Sequence, residues 1–103
     1  LEAEPYYLPA RHNMGLAYAR RGDMELALTH FERVFEIVPE YGESHYVVAQ
    51  IYEGRNELMK ASEHYLLAIE SDRSNSKYRE RLTQLQRLID DKQEALYYQN
   101  QRR

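Results

Sequence analysis

Apolar residues recur along this chain at helical spacing, and most residues that break helices fall between the apolar stretches. Tyr78, Leu82, Leu85 and Ile89 follow a 4-3-4 interval, which lays them along one side of a helix. Pro5 and Pro9 flank the entry to the first stretch, Gly22-Asp23 divides it from the second, and Pro39 with Gly42 closes the second. Gly54 to Asn56 sets the next break. The pattern predicts helices at about 8–21, 24–37, 43–54 and 58–71, and a last one from about 76 onward. Val47-Val48 is β-branched but sits inside a helical period, so no strand is expected.

The first pair of these stretches is copied in the second pair. Tyr18 and Tyr52, Ala27 and Ala61, His30 and His64, and Glu36 and Glu70 are identical pairs 34 residues apart. Pro5 with Pro39 and Tyr7 with Tyr41 continue the register, while Gly15 is echoed by Ala49, Phe31 by Tyr65 and Val34 by Ala68. A fixed period of this length marks a repeat array, in which no unit buries its own apolar face and neighbours stack into one core. Each slot has a packing reason. Gly15 and Ala49 belong where two antiparallel helices cross closely, with Ala27 and Ala61 in the same part on the facing helix. Tyr18, Phe31, Tyr52 and Tyr65 fill the space around those contacts, each contributing ~1.5–3 kcal/mol when largely buried.

The residues carrying this period resemble the tetratricopeptide repeat, whose pattern is Trp-x-x-Leu-Gly-x-x-Tyr on one helix, then Ala-x-x-x-Phe-x-x-Ala on a second, closed by Pro. The first copy supplies Arg11, Met14, Gly15, Tyr18, Ala27, Phe31, Val34 and Pro39. The second supplies His45, Val48, Ala49, Tyr52, Ala61, Tyr65 and Ala68, with Arg73 in the Pro slot. Both copies depart at the Trp slot, filled by Arg11 and His45. The resemblance implies an all-α fold: antiparallel helix-turn-helix repeats stacked as a right-handed α-solenoid with a C-terminal capping helix. Residues 1–7 are then the tail of a truncated preceding repeat, since Leu1 to Pro5 matches the repeat end at Phe35 to Pro39. Residues 8–41 and 42–75 form one repeat each, and residues 76–103 form a capping helix or a degenerate third repeat. Ser74 or Ser76 can cap that helix. Ala95 falls on an Ala slot, but Thr83 and Gln86 occupy the Gly and Tyr slots, and no turn residue stands near Asp90-Asp91. One long capping helix with a polar tail is the preferred reading.

In this family the first helix of each pair lines a concave groove, so the resemblance implies a protein or peptide partner there. The helix-one positions not committed to packing are His12, Leu16, Ala19 and Arg20 in the first copy and Tyr46, Gln50, Glu53 and Gly54 in the second. Leu16, Ala19 and Tyr46 are expected to make a small apolar patch, rimmed by Arg20, Glu53 and Arg81. Family members that grip chaperone C-terminal carboxylates use a Lys, Asn, Asn, Lys, Arg clamp. The matching positions are His12, Leu16, Val47, Lys77 and Arg81, and neither Leu16 nor Val47 offers the amide donor the clamp needs.

Composition narrows the function classes. The chain has 103 residues and a formal charge of −3, with 14 basic and 17 acidic residues interleaved. A nucleic-acid binder needs a concentrated basic face, so no nucleic-acid partner is expected. Cysteine is absent, which removes disulfides and thiol catalysis but fits cytoplasm and periplasm equally. No apolar run suits membrane insertion. His30 and His64 are equivalent residues of successive repeats, roughly 10 Å apart by helix spacing, too far to share an ion. Both are read as surface histidines, and His45 as partly buried packing. With no phosphate loop, nucleophile triad or metal cluster, neither enzyme activity nor a cofactor is expected. Ten tyrosines exceed what the repeat slots use. Tyr6, Tyr7, Tyr41, Tyr97 and Tyr98 at junctions and ends are junction packing or contacts of a homo-oligomer stacked through exposed array ends.

Overall fold

The computed structural model describes residues 7–102, and every regular element among them is an α-helix. The helices are α1 (Leu8–Arg20), α2 (Met24–Ile37), α3 (Gly42–Gly54), α4 (Leu58–Ser71) and α5 (Ser76–Gln101). Both bounds of α1 to α4 and the start of α5 fall within one residue of the positions expected from periodicity. Pro5, Tyr6 and most of the expected repeat tail at residues 1–7 lie outside the described residues.

Consecutive helices pack in order, α1 on α2, α2 on α3, α3 on α4 and α4 on α5, and α1 also touches α3. This is a helical repeat solenoid, with extents of 61 × 30 × 19 Å. Pro9 sits in the first turn of α1, where its missing N–H costs nothing.

The repeat register is visible in the backbone hydrogen bonds. In the first copy the Gly22 N–H donates to Ala19 O at 3.0 Å and the Asp23 N–H to Tyr18 O at 2.9 Å. In the second the Asn56 N–H donates to Glu53 O and the Glu57 N–H to Tyr52 O, both at 2.9 Å. This six-to-one closure of a helix end requires one left-handed residue, supplied by Gly22 (φ 87°) and Asn56 (φ 63°). Glycine adopts that conformation freely, and asparagine tolerates it better than most residues with a side chain. Gly54, expected in this turn, is instead the last residue of α3.

The same three slots of each second helix are fully buried: Ala27, Phe31 and Val34 on α2, and Ala61, Tyr65 and Ala68 on α4. A Cβ at Gly15 would lie 2.6 Å from Cε1 and Cζ of Phe31, so the absence of a side chain sets how closely α1 approaches α2. Apolar packing falls into two clusters. Ala27, Phe31, Val48 and Ile51 form the first, and Ala49, Ala61, Tyr65 and Leu85 form the second.

α5 is capped by Asn75, whose Oδ1 accepts from the Lys77 N–H at 3.0 Å. Neither serine expected in that role takes it. Ser74 turns back to Asp72, donating its hydroxyl to the carboxylate at 2.6 Å, and Ser76 is the first helical residue. α5 then runs 26 residues without a break at Asp90-Asp91. Tyr78 and Leu85 are buried and Leu82 and Ile89 half-buried, whereas every described residue after Ile89 is exposed.

Three substitutions test this packing. Ala27→Leu should overpack the α1–α2 crossing and lower unfolding free energy by ~1–3 kcal/mol in urea titration. Gly22→Ala should cost ~1–2 kcal/mol by forcing a Cβ into a left-handed position. Gly54→Ala, with open space around it and helical backbone, should stabilise by up to ~1 kcal/mol. Equal melting temperatures for the two glycine variants would contradict this assignment of the turn.

Candidate partner-binding groove

The first helices of the units share one face. A cleft of about 230 Å³ is lined by His12 from α1, Glu43, Tyr46 and Val47 from α3, and Lys77 and Tyr78 from α5, with Asn75 at its edge. The residues expected along this face are placed in three ways. Arg20 is exposed at the end of α1 and Gln50 is half-buried on α3. Leu16 and Ala19 are half-buried against the Phe31 cluster, while Tyr46 packs into the Tyr65 cluster, so the expected apolar patch is divided between two packing units. His12 is 8 % exposed and turned inward, its Nδ1 2.8 Å from the Ser44 hydroxyl. Burial lowers the His12 pKa, against an opposing pull from the Glu43 carboxylate.

Tyr46 is the aromatic centre of the cleft. Its ring lies 4.9 Å from that of Tyr78 and 5.9 Å, edge-on, from that of Tyr65. Behind it the Tyr65 hydroxyl donates to Glu53 Oε1 at 2.8 Å. Arg81 Nη2 reaches both the phenol oxygen, at 3.3 Å, and Glu53 Oε1, at 3.5 Å. Tyr46, Glu53 and Arg81, expected from sequence as neighbours, are thus brought together. Tyr65, expected only as packing, joins them by its hydroxyl. Burial first, and then the Glu53 carboxylate, push the Tyr65 pKa up to about 12, with Arg81 opposing.

The signal for this network lies in the difference between the copies. Ala19 and Phe31 occupy the slots that Glu53 and Tyr65 take in the second repeat. A hydroxyl and a carboxylate therefore appear together, in the copy that packs against Arg81.

The histidines depart furthest from expectation. His64 is not a surface residue. Its Nδ1 lies 2.9 Å from Nδ1 of His45, and its ring stacks 5.6 Å from Tyr52. His45, only 3 % exposed, has its Nε2 2.6 Å from the Pro39 carbonyl and stacks on Phe35 at 4.0 Å. Burial, then proximity to His45, pushes the His64 pKa down to about 4. His30 stacks on Tyr18 at 5.3 Å in the equivalent arrangement, and its Nδ1 is buried without a hydrogen-bond partner. The slot of His45 holds Arg11 in that copy, which, after burial, is the next influence lowering the His30 pKa. Among the described residues no three metal-ligating side chains converge, and no helix is long and apolar enough to cross a membrane.

A family model for the tetratricopeptide repeat matches residues 6–74. A comparison with curated proteins finds no match. The matched span ends before α5, so Arg81 reaches the groove from outside it.

Tyr65→Phe should cost ~1 kcal/mol, the net value of one hydrogen bond, because Glu53 and Arg81 can still pair. The alkaline titration of tyrosinate absorbance should lose its component near pH 12 in this variant. The sign follows from the folded state favouring the neutral phenol. The parent keeps this contribution below pH 10 and loses it as pH rises through about 12. The variant should decline less over that range.

Proposed function

The chain belongs to the tetratricopeptide repeat family, and from that membership we propose that it is a non-enzymatic protein–protein interaction module holding a peptide or helix of a partner across α1, α3 and α5. Such repeats generally mediate protein–protein interactions. The observation that carries the finer reading is Tyr46, a half-buried aromatic at the centre of a cleft shared by three helices, with Glu53 and Arg81 beside it. An aromatic anchor held by surrounding packing and rimmed by polar groups suits an extended segment or an amphipathic helix. Leu16, Ala19, Arg20 and Gln50 extend this surface along α1 and α3, and His12 contributes by shaping the cleft wall. The module would serve as a scaffold or assembly factor, with the partner's sequence selecting the complex.

A second reading is self-association, favoured by one observation. Beyond Ile89, α5 exposes Leu96, Tyr97 and Tyr98, with the two tyrosine rings edge to face at 5.6 Å. End-to-end scaffolding would use these residues and leave the groove free.

Tyr46→Ala would remove packing from Tyr65 and Tyr78 as well as any anchor, so surface changes make the cleaner test. Arg20→Glu combined with Gln50→Glu should weaken capture of the cognate partner by about tenfold or more, ~1.4 kcal/mol. Arg33→Glu, at an exposed position of α2, should leave capture intact. Tyr97→Ala should alter only sedimentation if self-association occurs. Equal capture by parent and groove variant would place the interface elsewhere.

A further inference from the structure

We propose that copies of this chain join head to tail, the projecting end of α5 from one copy lying along the bare outer face of α1 in the next. This rests on the self-association reading above and names the two surfaces that meet.

Repeat equivalence reveals the first surface. Ala10, Met14 and Ala17 of α1 hold the slots taken by Ser44, Val48 and Ile51 on α3, and by Tyr78, Leu82 and Leu85 on α5. On α3 these slots are 0, 2 and 7 % exposed, and Met24, Leu28, Phe31 and Phe35 of α2 share one apolar cluster with Val48 and Ile51. On α5, Leu85 is buried and Leu82 half-buried in the cluster that holds Ala61 and Tyr65 of α4, and Tyr78 is buried too. On α1 the same slots are exposed, Met14 by 47 %. Tyr7, on the same side at the N-cap, is also exposed. α1 thus presents a helix-docking face that no described helix covers, and its two alanines permit close approach. Met14 and Leu16 point to opposite sides of α1, so this face is not the groove.

The second surface is the end of α5. Lys92 Nζ donates to Asn56 Oδ1 at 2.8 Å, in the turn between α3 and α4. From there the helix continues from Gln93 to Gln101, about 14 Å at about 1.5 Å per residue, with every side chain exposed. Leu96 lies one heptad beyond Ile89 and so continues the stripe by which α5 packs on α4. Tyr97 stands beside it, and both are more than half exposed.

Charge makes the second copy the fitting occupant. α1 carries Arg11 and Arg20, ends on Arg21 and contains no carboxylate, whereas the outer part of α5 begins with Asp90, Asp91 and Glu94. The seam between the repeats supplies the orientation. There Glu25, at the start of α2, accepts from Arg55, just past the end of α3, at 2.8 Å. Arg21 occupies the Arg55 slot on α1, with its side chain 72 % exposed. Laying the α5 end antiparallel on α1 with Asp90 opposite Arg21 sets Tyr97 opposite Met14, so charge and apolar contacts fall in one register. Gln93 and Asn100 interrupt the apolar stripe, which makes the joint weak and concentration-dependent. Each copy keeps one face and one projecting end, so the contact is heterologous and repeats as an open chain.

The test is complementation in sedimentation, with circular dichroism confirming that each variant is helical. The parent should grow past two chains as concentration rises. Met14→Glu removes the α1 face, and Leu96→Glu with Tyr97→Glu removes the α5 end; all three positions are exposed. Ala17→Glu replaces Met14→Glu should that variant not fold. Each variant alone should stay monomeric. Mixed in equal amounts they should form two-chain species and nothing longer, because one live face then meets one live end. A mixture that stays monomeric while the parent associates overturns the head-to-tail contact and leaves self-association standing. Association of either variant by itself also overturns it. A parent that remains monomeric at every concentration overturns both readings.

Discussion

The close approach of the two helices within each repeat governs the rest of the structure. In the first repeat it depends on Gly15 lying directly against Phe31, where even one added carbon would sit within 2.6 Å of the ring. In the second, Ala49 and Ala61 are both without solvent exposure beside Tyr65. Helix axes held this close need a short connection. The short connection needs a left-handed residue, which is why Gly22 and Asn56 stand at the same point of the two copies. Apolar side chains that cannot be covered inside one hairpin are covered by the next. Val48 and Ile51 of α3 complete the cluster around Phe31, and Leu85 of α5 completes the one around Tyr65. Stacking is therefore a consequence of the hairpin geometry.

Against that common frame the copies differ chemically, and the differences cluster. Where the first repeat has Ala19 and Phe31, the second has Glu53 and Tyr65, and the polar pair is completed by Arg81. Where the first has Arg11 facing His30, the second has His45 bonded to His64. Both changes put hydrogen-bonded polar groups into partly buried positions. Such groups destabilise when their partners are removed, so each ties its neighbours to one arrangement. The second repeat is thereby fastened on two sides, to α5 through Arg81 and to the first repeat through Pro39.

Most of the fold could be read from the chain alone, because helix length, turn position and small-residue slots are local or strictly periodic properties. The five helices and the buried triplets Ala27-Phe31-Val34 and Ala61-Tyr65-Ala68 follow from that reading. What escaped it depends on residues brought together from different helices. Whether an imidazole on a helix-one face points into a groove or into a seam depends on what stands opposite. His12 turned inward because Ser44 is there to meet it. His64 was read as a surface residue because its identity with His30 suggested a shared, bland role, whereas its neighbour at the Trp slot changed from Arg11 to His45. The cap of α5 was misplaced by one residue, since serine and asparagine compete for that role and Asp72 drew Ser74 away.

The groove and the core share residues, which bears on how a partner can be recognised. Tyr46 belongs to the same cluster as Leu82 and Ile89, and Arg81 is already engaged by Tyr65 and Glu53. A ligand contacting these side chains finds them held in place, so little rotamer freedom remains to be lost on binding. The same engagement limits what Arg81 can offer, since an anionic group must share it with Glu53. Arg20 and Lys77, exposed at either end of the face, carry no such constraint in their burial. A partner that reads shape at Tyr46 and charge at the two ends would satisfy both conditions. Specificity would then come from the exposed ends, while the buried centre supplies a preorganised platform.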